Sequence, residues 1–226
     1  MTNLAEANLF PPEPGRIGSD ESGKGDFFGP LVVAAFFMPE GHEAVLRELG
    51  VKDSKRTSDA RCREIAAILK KGYVHSVVAV GPEKYNELYG KLRNLNRLLA
   101  WAHARAIENV LERVPAGKAV TDQFGDERFV RNALLKKGRT IELVQMPRAE
   151  EDQAVAAASI LARAEFVERL RSLGREVGAE LPKGASAAVE EAAVKLVRAR
   201  GPAILERVAK THFKTTARVL DLAGVS

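Results

Sequence analysis

One cysteine, Cys62, stands in the whole chain, so no intrachain disulfide can form and no disulfide framework holds the fold. It lies in the helical stretch RCREIAAILK, where an inert thiol is the expected reading. No apolar run is long enough to span a bilayer. The opening MTNLAEANLFPPEPG lacks the basic segment followed by an apolar run that marks a secretory signal. There is no internal repeat and no low-complexity tract. These absences lead us to expect a cytoplasmic protein in a reducing compartment, without membrane contact.

What is present is ordinary globular material. A chain of 226 residues with 46% hydrophobic and 29% charged side chains can bury one large core or two small ones. The balance is basic, 35 Lys+Arg against 30 Asp+Glu, for a net charge of +5. That suits a polyanionic partner, although many proteins of this charge bind no nucleic acid.

Residues 1–15, with Pro11, Pro12, Pro14 and Gly15, read as a loose leader. A domain over 16–226 follows. Strands are predicted over 16–20, 31–38, 73–80, 118–121 and 140–144, from short runs rich in Val, Ile and Phe bounded by glycine or proline. Helices are predicted over 58–70 behind a Ser58 cap, and over 94–113, 127–136 and 151–173. Two or three more are expected between 185 and 222. The 151–173 helix has an alanine-rich centre, AVAAASILARA, whose small side chains let a helix lie close to its neighbour. The expected fold class is α/β, a mixed five-stranded sheet flanked by helices, with a helical C-terminal extension.

The carboxylates fall at predicted strand ends. Asp20-Glu21 ends the first strand and Asp122 the fourth, and Glu150, Glu151 and Asp152 follow the fifth. Sites in open α/β sheets gather where strands end, and these acids converge if their strands are neighbours. Clustered carboxylates repel one another, and a divalent cation with a taste for oxygen relieves that. Helix capping is a competing reading for Glu151 and Asp152, less so for Asp20-Glu21. Neighbours on a strand face opposite ways, so both members of that pair serve one site only if the strand stops at Glu21.

The segment GSDESGKG nearly matches a phosphate-binding loop but has Gly25 where Ser or Thr would hold magnesium, and two acids inside the loop. Its glycines are better read as allowing close backbone approach to a ligand. Such a backbone beside a metal site can read a ribose 2′-hydroxyl.

Together these residues carry a family likeness. IGSDESGKGDFFGPLVVAA (17–35) resembles the first active-site segment of ribonuclease HIII. Ribonuclease HII usually has Arg between the two glycines and lacks the Asp-aromatic pair after them. ELGVKDSKRTSD (48–59), VTDQF (120–124), RAEEDQAVAAASILAR (148–163), LPKGAS (181–186) and AKTHFKTT (209–216) resemble further segments of that family. The likeness covers nearly the whole chain.

The resemblance implies a ribonuclease H-like fold and an endonuclease that cuts the RNA strand of RNA–DNA hybrids with two Mg²⁺ or Mn²⁺ ions, leaving 5′-phosphate and 3′-hydroxyl ends. It implies Asp20, Glu21, Asp122 and Glu150 as metal-binding and catalytic carboxylates, with Glu151 the competitor for the fourth place. Gly23, Lys24 and Gly25 would sit at the hybrid's minor groove, and Lys55, Lys183 and Lys214 are candidates for phosphate contacts. A monomer is expected. The family usually carries a TATA-box-binding-protein-like domain ahead of the first motif; some fifteen residues precede it here, so weak and salt-sensitive hybrid binding is expected. His42, His75 and His103 are expected on the surface or satisfied in the core, and His212 in a structural role.

Overall fold

The structure, a computed structural model, describes residues 14–52, 57–122, 127–135 and 137–225. At its centre is a five-stranded sheet of β1 (Gly15–Ser22), β2 (Leu31–Pro39), β3 (His75–Val80), β4 (Lys118–Asp122) and β5 (Glu142–Met146). The strand order is β3-β2-β1-β4-β5. β2 runs antiparallel to β1 and β3, whereas β1, β4 and β5 are mutually parallel. The mixture follows from the connections. The short link 23–30 permits only an antiparallel return, while long helical crossovers precede β4 and lead on towards β5. Gly15 opens β1 one residue earlier than expected, and β3 and β5 each begin two residues later.

The sheet is covered on both faces, so β2 is buried at every position from Leu31 to Met38 and reads as the unbroken apolar run LVVAAFFM. Val32, Ala34 and Phe36 pack towards α6 (Gln153–Val177), and Val33, Ala35 and Phe37 towards α4 (Leu95–Leu111). The alanine-rich centre of α6 does what its composition suggested. Ala154, Ala156, Ala157 and Ala158 are fully buried, and a Cβ on Gly18 of β1 would overlap the backbone of Ala154 and Val155. Helix and strand meet here backbone to backbone, which only small residues allow.

Ser58 caps α2 (Asp59–Gly72) as expected, its Oγ accepting from the Arg61 amide at 3.2 Å. Asn94 likewise caps α4. Two helices were not anticipated, α1 (Glu43–Leu49) and α3 (Pro82–Leu92). α1 is too short to show a helical period. Gly81-Pro82, read as the end of a strand, is also a helix start, because proline at the first helical position costs no hydrogen bond. α5 (Glu127–Ala133) follows β4. The C-terminal helices α7 (Ala187–Arg200), α8 (Ile204–Val208) and α9 (Lys214–Ala223) are more than an appendage. Their Val189, Leu196, Val208 and Val219 belong to the same core as α6. The predicted leader, up to residue 13, lies outside the described residues.

Candidate active site

Because β1, β4 and β5 are parallel neighbours, their C-terminal ends share one edge of the sheet. Asp20, Glu21, Asp122 and Glu150 line a single cleft there, of about 450 Å³, with Gly23, Lys24 and Gly25 on its rim. One expectation needs correcting. β1 does not stop at Glu21: its pairing with β2 continues to Ser22. Pairing with β4 ends at Ser19, so beyond that point β1 has an open flank. Asp20 turns to the α6 face, where it is hydrogen-bonded with Ser159. Glu21 turns to the α4 face, 3.2 Å from His103 Nε2. The two carboxylates straddle the sheet edge and reach the cleft from both sides.

Their surroundings separate them electrostatically. Burial and the neighbouring Glu21 charge push the Asp20 carboxyl up to about 7. Glu21 is equally buried, but the His103 hydrogen bond and Lys24, 3.3 Å away, outweigh the desolvation and hold it at about 2. His103 is fully buried, with Nδ1 2.9 Å from Ser19 Oγ and 3.4 Å from Thr121 Oγ1. One imidazole thus ties β1 to β4 behind Glu21. Of the two places expected for His103, surface or core, the structure gives it the core, with a contact to Glu21 that the sequence does not signal. A lone histidine among the alanines of α4 carries no signal that separates packing from function.

The three consecutive acids are sorted by the turn that carries them. Residues Ala149–Glu151 form a short 3₁₀ turn ahead of α6. Glu150 lines the cleft, Glu151 is exposed, and Asp152 caps α6. The Asp152 Oδ1 accepts from the amides of Ala154 at 2.8 Å and Val155 at 3.4 Å, and its Oδ2 from Arg16 Nε at 2.6 Å. Asp122, at the end of β4, accepts a long 3.5 Å contact from the Ala149 amide.

The glycine loop is not a phosphate-binding loop, for no helix follows it; the chain passes through buried Phe27 and Phe28 into β2. Gly23 has φ +86°, and a Cβ there would collide with the Pro30 carbonyl, whereas Gly25 is exposed and meets nothing within 4 Å. Two C-terminal segments mould this loop. The Gly184 amide donates to Asp26 Oδ1 at 2.7 Å, and the Phe27 amide to the Gly184 carbonyl at 2.9 Å. Lys210, fully buried, donates from Nζ to the carbonyls of Asp26 at 2.8 Å and Gly29 at 2.7 Å. Burial presses its ammonium down to about 7 against the pull of the Asp26 charge. Lys210, Ser159 and Arg163 lie in the segments 209–216 and 148–163 that carry the resemblance, but no role was expected of any of them; each acquires its place through the packing of distant segments.

The candidate phosphate contacts are scattered. Lys183 lines the cleft, but its Nζ lies 2.7 Å from Asp59 Oδ2. Arg163 shares that carboxylate, 2.7 Å from Oδ1. Lys24 pairs with Glu21. Lys214 opens α9 and is not among the residues that line the cleft. Lys55 lies outside the described residues. His212 stacks on Tyr89 with ring centroids 4.0 Å apart, the structural role expected.

The comparison with known proteins follows the same outline. A family model described as ribonuclease HII matches residues 17–216. The chain belongs to that family, and within it to the ribonuclease HIII group. Ribonuclease HIII of Protochlamydia amoebophila is 44% identical over 208 residues, covering 92% of this chain and 69% of the relative. That of Chlamydia pneumoniae is 47% identical over 206 residues, covering 88% and 68%. Among solved structures, Bst-RNase HIII in complex with Mn²⁺ superposes with a TM-score of 0.86 at 36% identity, over 94% of this chain and 71% of that one. Aquifex aeolicus RNase H3 gives 0.72 at 34% identity, over 88% and 72%.

A ribonuclease H of this kind works with divalent cations, and the donor set here fits them. The cleft offers five carboxylates and no sulfur, with Asp26 among the five already accepting from the Gly184 amide; this is the oxygen-only chemistry that Mg²⁺ and Mn²⁺ take. Two of these, Asp20 and Glu21, are adjacent and part-buried, where a cation offsets their repulsion. Among the described residues no three His, Cys, Asp or Glu side chains are yet gathered within reach of one ion. The acids stand around the cleft wall, and Glu21 is held by His103 and Lys24.

The loop clamp makes a prediction of its own. Lys210→Met keeps the length of the side chain and removes its two carbonyl contacts. At about 1.5–3 kcal/mol for a hydrogen bond to a charged group, offset by the relief of burying an amine, the net loss of stability is about 1–3 kcal/mol. A thermal melt reads this. KM for hybrid is expected to rise more than kcat falls, because the loop rather than the carboxylate set is loosened. A kcat collapse at unchanged KM would contradict it.

Proposed function

We propose that this ribonuclease H binds Mg²⁺ or Mn²⁺ through Asp20, Glu21, Asp122 and Glu150 and cuts the RNA strand of RNA–DNA hybrids internally. One observation carries the reading: four carboxylates from three parallel strand ends line one cleft with the Gly23-Lys24-Gly25 loop, whose Gly25 is exposed. Divalent ions bound there supply charge stabilisation for the attacking and leaving oxygens of a phosphodiester. The chain's own part is to hold the acids and to present the RNA. Asp20 and Glu21 grip from the two faces of the sheet, and Ser159 and His103 fix their rotamers. Gly25 leaves the backbone bare for a 2′-hydroxyl, and Lys210 and Gly184 keep that backbone in place. Lys24 is close enough to exchange Glu21 for a phosphate when an ion takes up the Glu21 charge.

The test uses two labelled substrates, an RNA–DNA hybrid and a DNA duplex with one embedded ribonucleotide, each with Mg²⁺, Mn²⁺ or EDTA. Cuts are expected throughout the ribonucleotide run, with 5′-phosphate ends and none in EDTA. Preference for the single ribonucleotide would move the chain to ribonuclease HII-like nicking. Hybrid that is bound but never cut under any metal would make it a binding module. Raising salt is expected to raise KM steeply, since each phosphate neutralised adds about 0.7–0.9 to the log–log slope.

A further inference from the structure

We propose that the nucleic-acid track does not end at the carboxylate cleft but continues along α6 into a second groove, which takes the sugar–phosphate backbone of the hybrid beyond the cut. The proposal rests on the hybrid reading above. This groove, of about 620 Å³, lies between the C-terminal half of α6 and the returning segment 178–183, and it shares Val167 and Lys183 with the cleft. Local sequence builds it. Gly178, at φ +63°, stops α6 and donates its amide back to Gly174 and Arg175. A Cβ on Gly174 would stand 2.8 Å from the Ala179 carbonyl, so only glycine lets the chain fold back this tightly. Leu181 is then buried and Lys183 is returned to the cleft.

The charges follow the same line. Arg163 borders the cleft, and Arg171 and Arg175 border the groove. Spaced by eight and four residues, they share one side of α6. Twelve residues of helix span about 18 Å, roughly the rise of five base pairs. Arg171 has no ion pair among the described residues, and Arg175 makes only an exposed 3.6 Å contact with Glu168. Both are therefore open to phosphates, with release of counterions. The acid at the junction, Asp59, is bound by Arg163 and Lys183 and holds them at the cleft wall. Glu180 is the opposing charge on the far side. The floor of Val167, Leu170 and Leu181 is apolar, suited to the faces of sugars between charged phosphates.

The double variant Arg171→Ala/Arg175→Ala tests this, since alanine preserves an exposed helix and neither residue touches the carboxylates. Binding is read by fluorescence anisotropy and cleavage by steady-state kinetics in Mg²⁺, on hybrids of about 8 and about 24 base pairs, the shorter ending within the cleft. On the long hybrid we expect affinity to fall about fivefold, kcat to hold, and the salt slope to drop by about one to two. On the short hybrid nothing should change. Unchanged affinity and slope on the long hybrid would overturn the track. An equal loss on both lengths would also overturn it, because it would reduce the arginines to general attraction. An unsubstituted chain that binds both hybrids and cuts neither would strike the catalytic reading and leave the groove to the binding data.

Discussion

Asp20→Asn and Asp122→Asn are each expected to bring hybrid cleavage to background while the protein melts within a few degrees of the unsubstituted chain. Each substitution removes a negative ligand and keeps the volume. Asp20 sits in the tighter place, buried between Glu21 and Ser159. An amide there still accepts from the Glu21 backbone amide, as the carboxylate does at 2.8 Å, and no longer repels Glu21. Stability is therefore expected to hold or rise even as activity vanishes. Among the described residues the Asp122 side chain makes the one long contact to the Ala149 amide, so its loss is expected to disturb little of the fold. Cleavage of hybrid in Mg²⁺ and in EDTA, alongside a thermal melt, checks both halves. Activity that survives either substitution, or persists in EDTA, would remove these acids from the metal site.

Glu150→Gln is expected to cost orders of magnitude in kcat, while Glu151→Gln stays within about twofold and Asp152→Asn keeps its rate. The 3₁₀ turn explains the contrast. Successive residues of a 3₁₀ turn are splayed by about 120°, and here Glu150 takes the cleft, Glu151 the solvent and Asp152 the helix cap. Asn caps nearly as well as Asp, so Asp152→Asn loses mainly the Arg16 ion pair. The cost should be near 1 kcal/mol at this part-buried pair. Measuring all three rates on one hybrid decides the register. A dead Glu151→Gln beside an active Glu150→Gln would shift the proposed ligand by one residue.

Much of this molecule is legible before any folding is considered. The length and Val/Phe content of the apolar run 31–38 favour a buried strand, and the small residues of 154–158 favour a helix lying close to its neighbour. Both follow from local composition and size. The glycine–acid segment 18–25 carried its chemistry in its residue types. Short elements were the harder part. α1 has seven residues and shows no period, and Gly81-Pro82 marks a strand end and a helix start equally well. The site residues that the linear reading passed over, His103, Ser159, Arg163 and Lys210, share one property. Each touches a partner far away in the chain: His103 is 82 residues from Glu21, Arg163 is 104 from Asp59, and Lys210 is 181 from Gly29.

The sequence by itself determined the five strands, most of the longer helices and which residue types are available: a small-residue helix, and acids at strand ends beside a glycine loop. It did so because backbone preference, hydrophobic period and side-chain chemistry are local properties. Only the tertiary structure decided that β1, β4 and β5 are parallel neighbours, so that acids up to 130 positions apart line one cleft. It alone decided that Asp20 and Glu21 reach the cleft from opposite faces, because the β4 ladder ends at Ser19 and leaves β1 with an open flank. And it alone made a buried lysine near the C-terminus the clamp of a loop near the N-terminus. Such pairings are settled by which burial and hydrogen-bond arrangement of the whole chain is lowest in free energy, a property that no single segment holds.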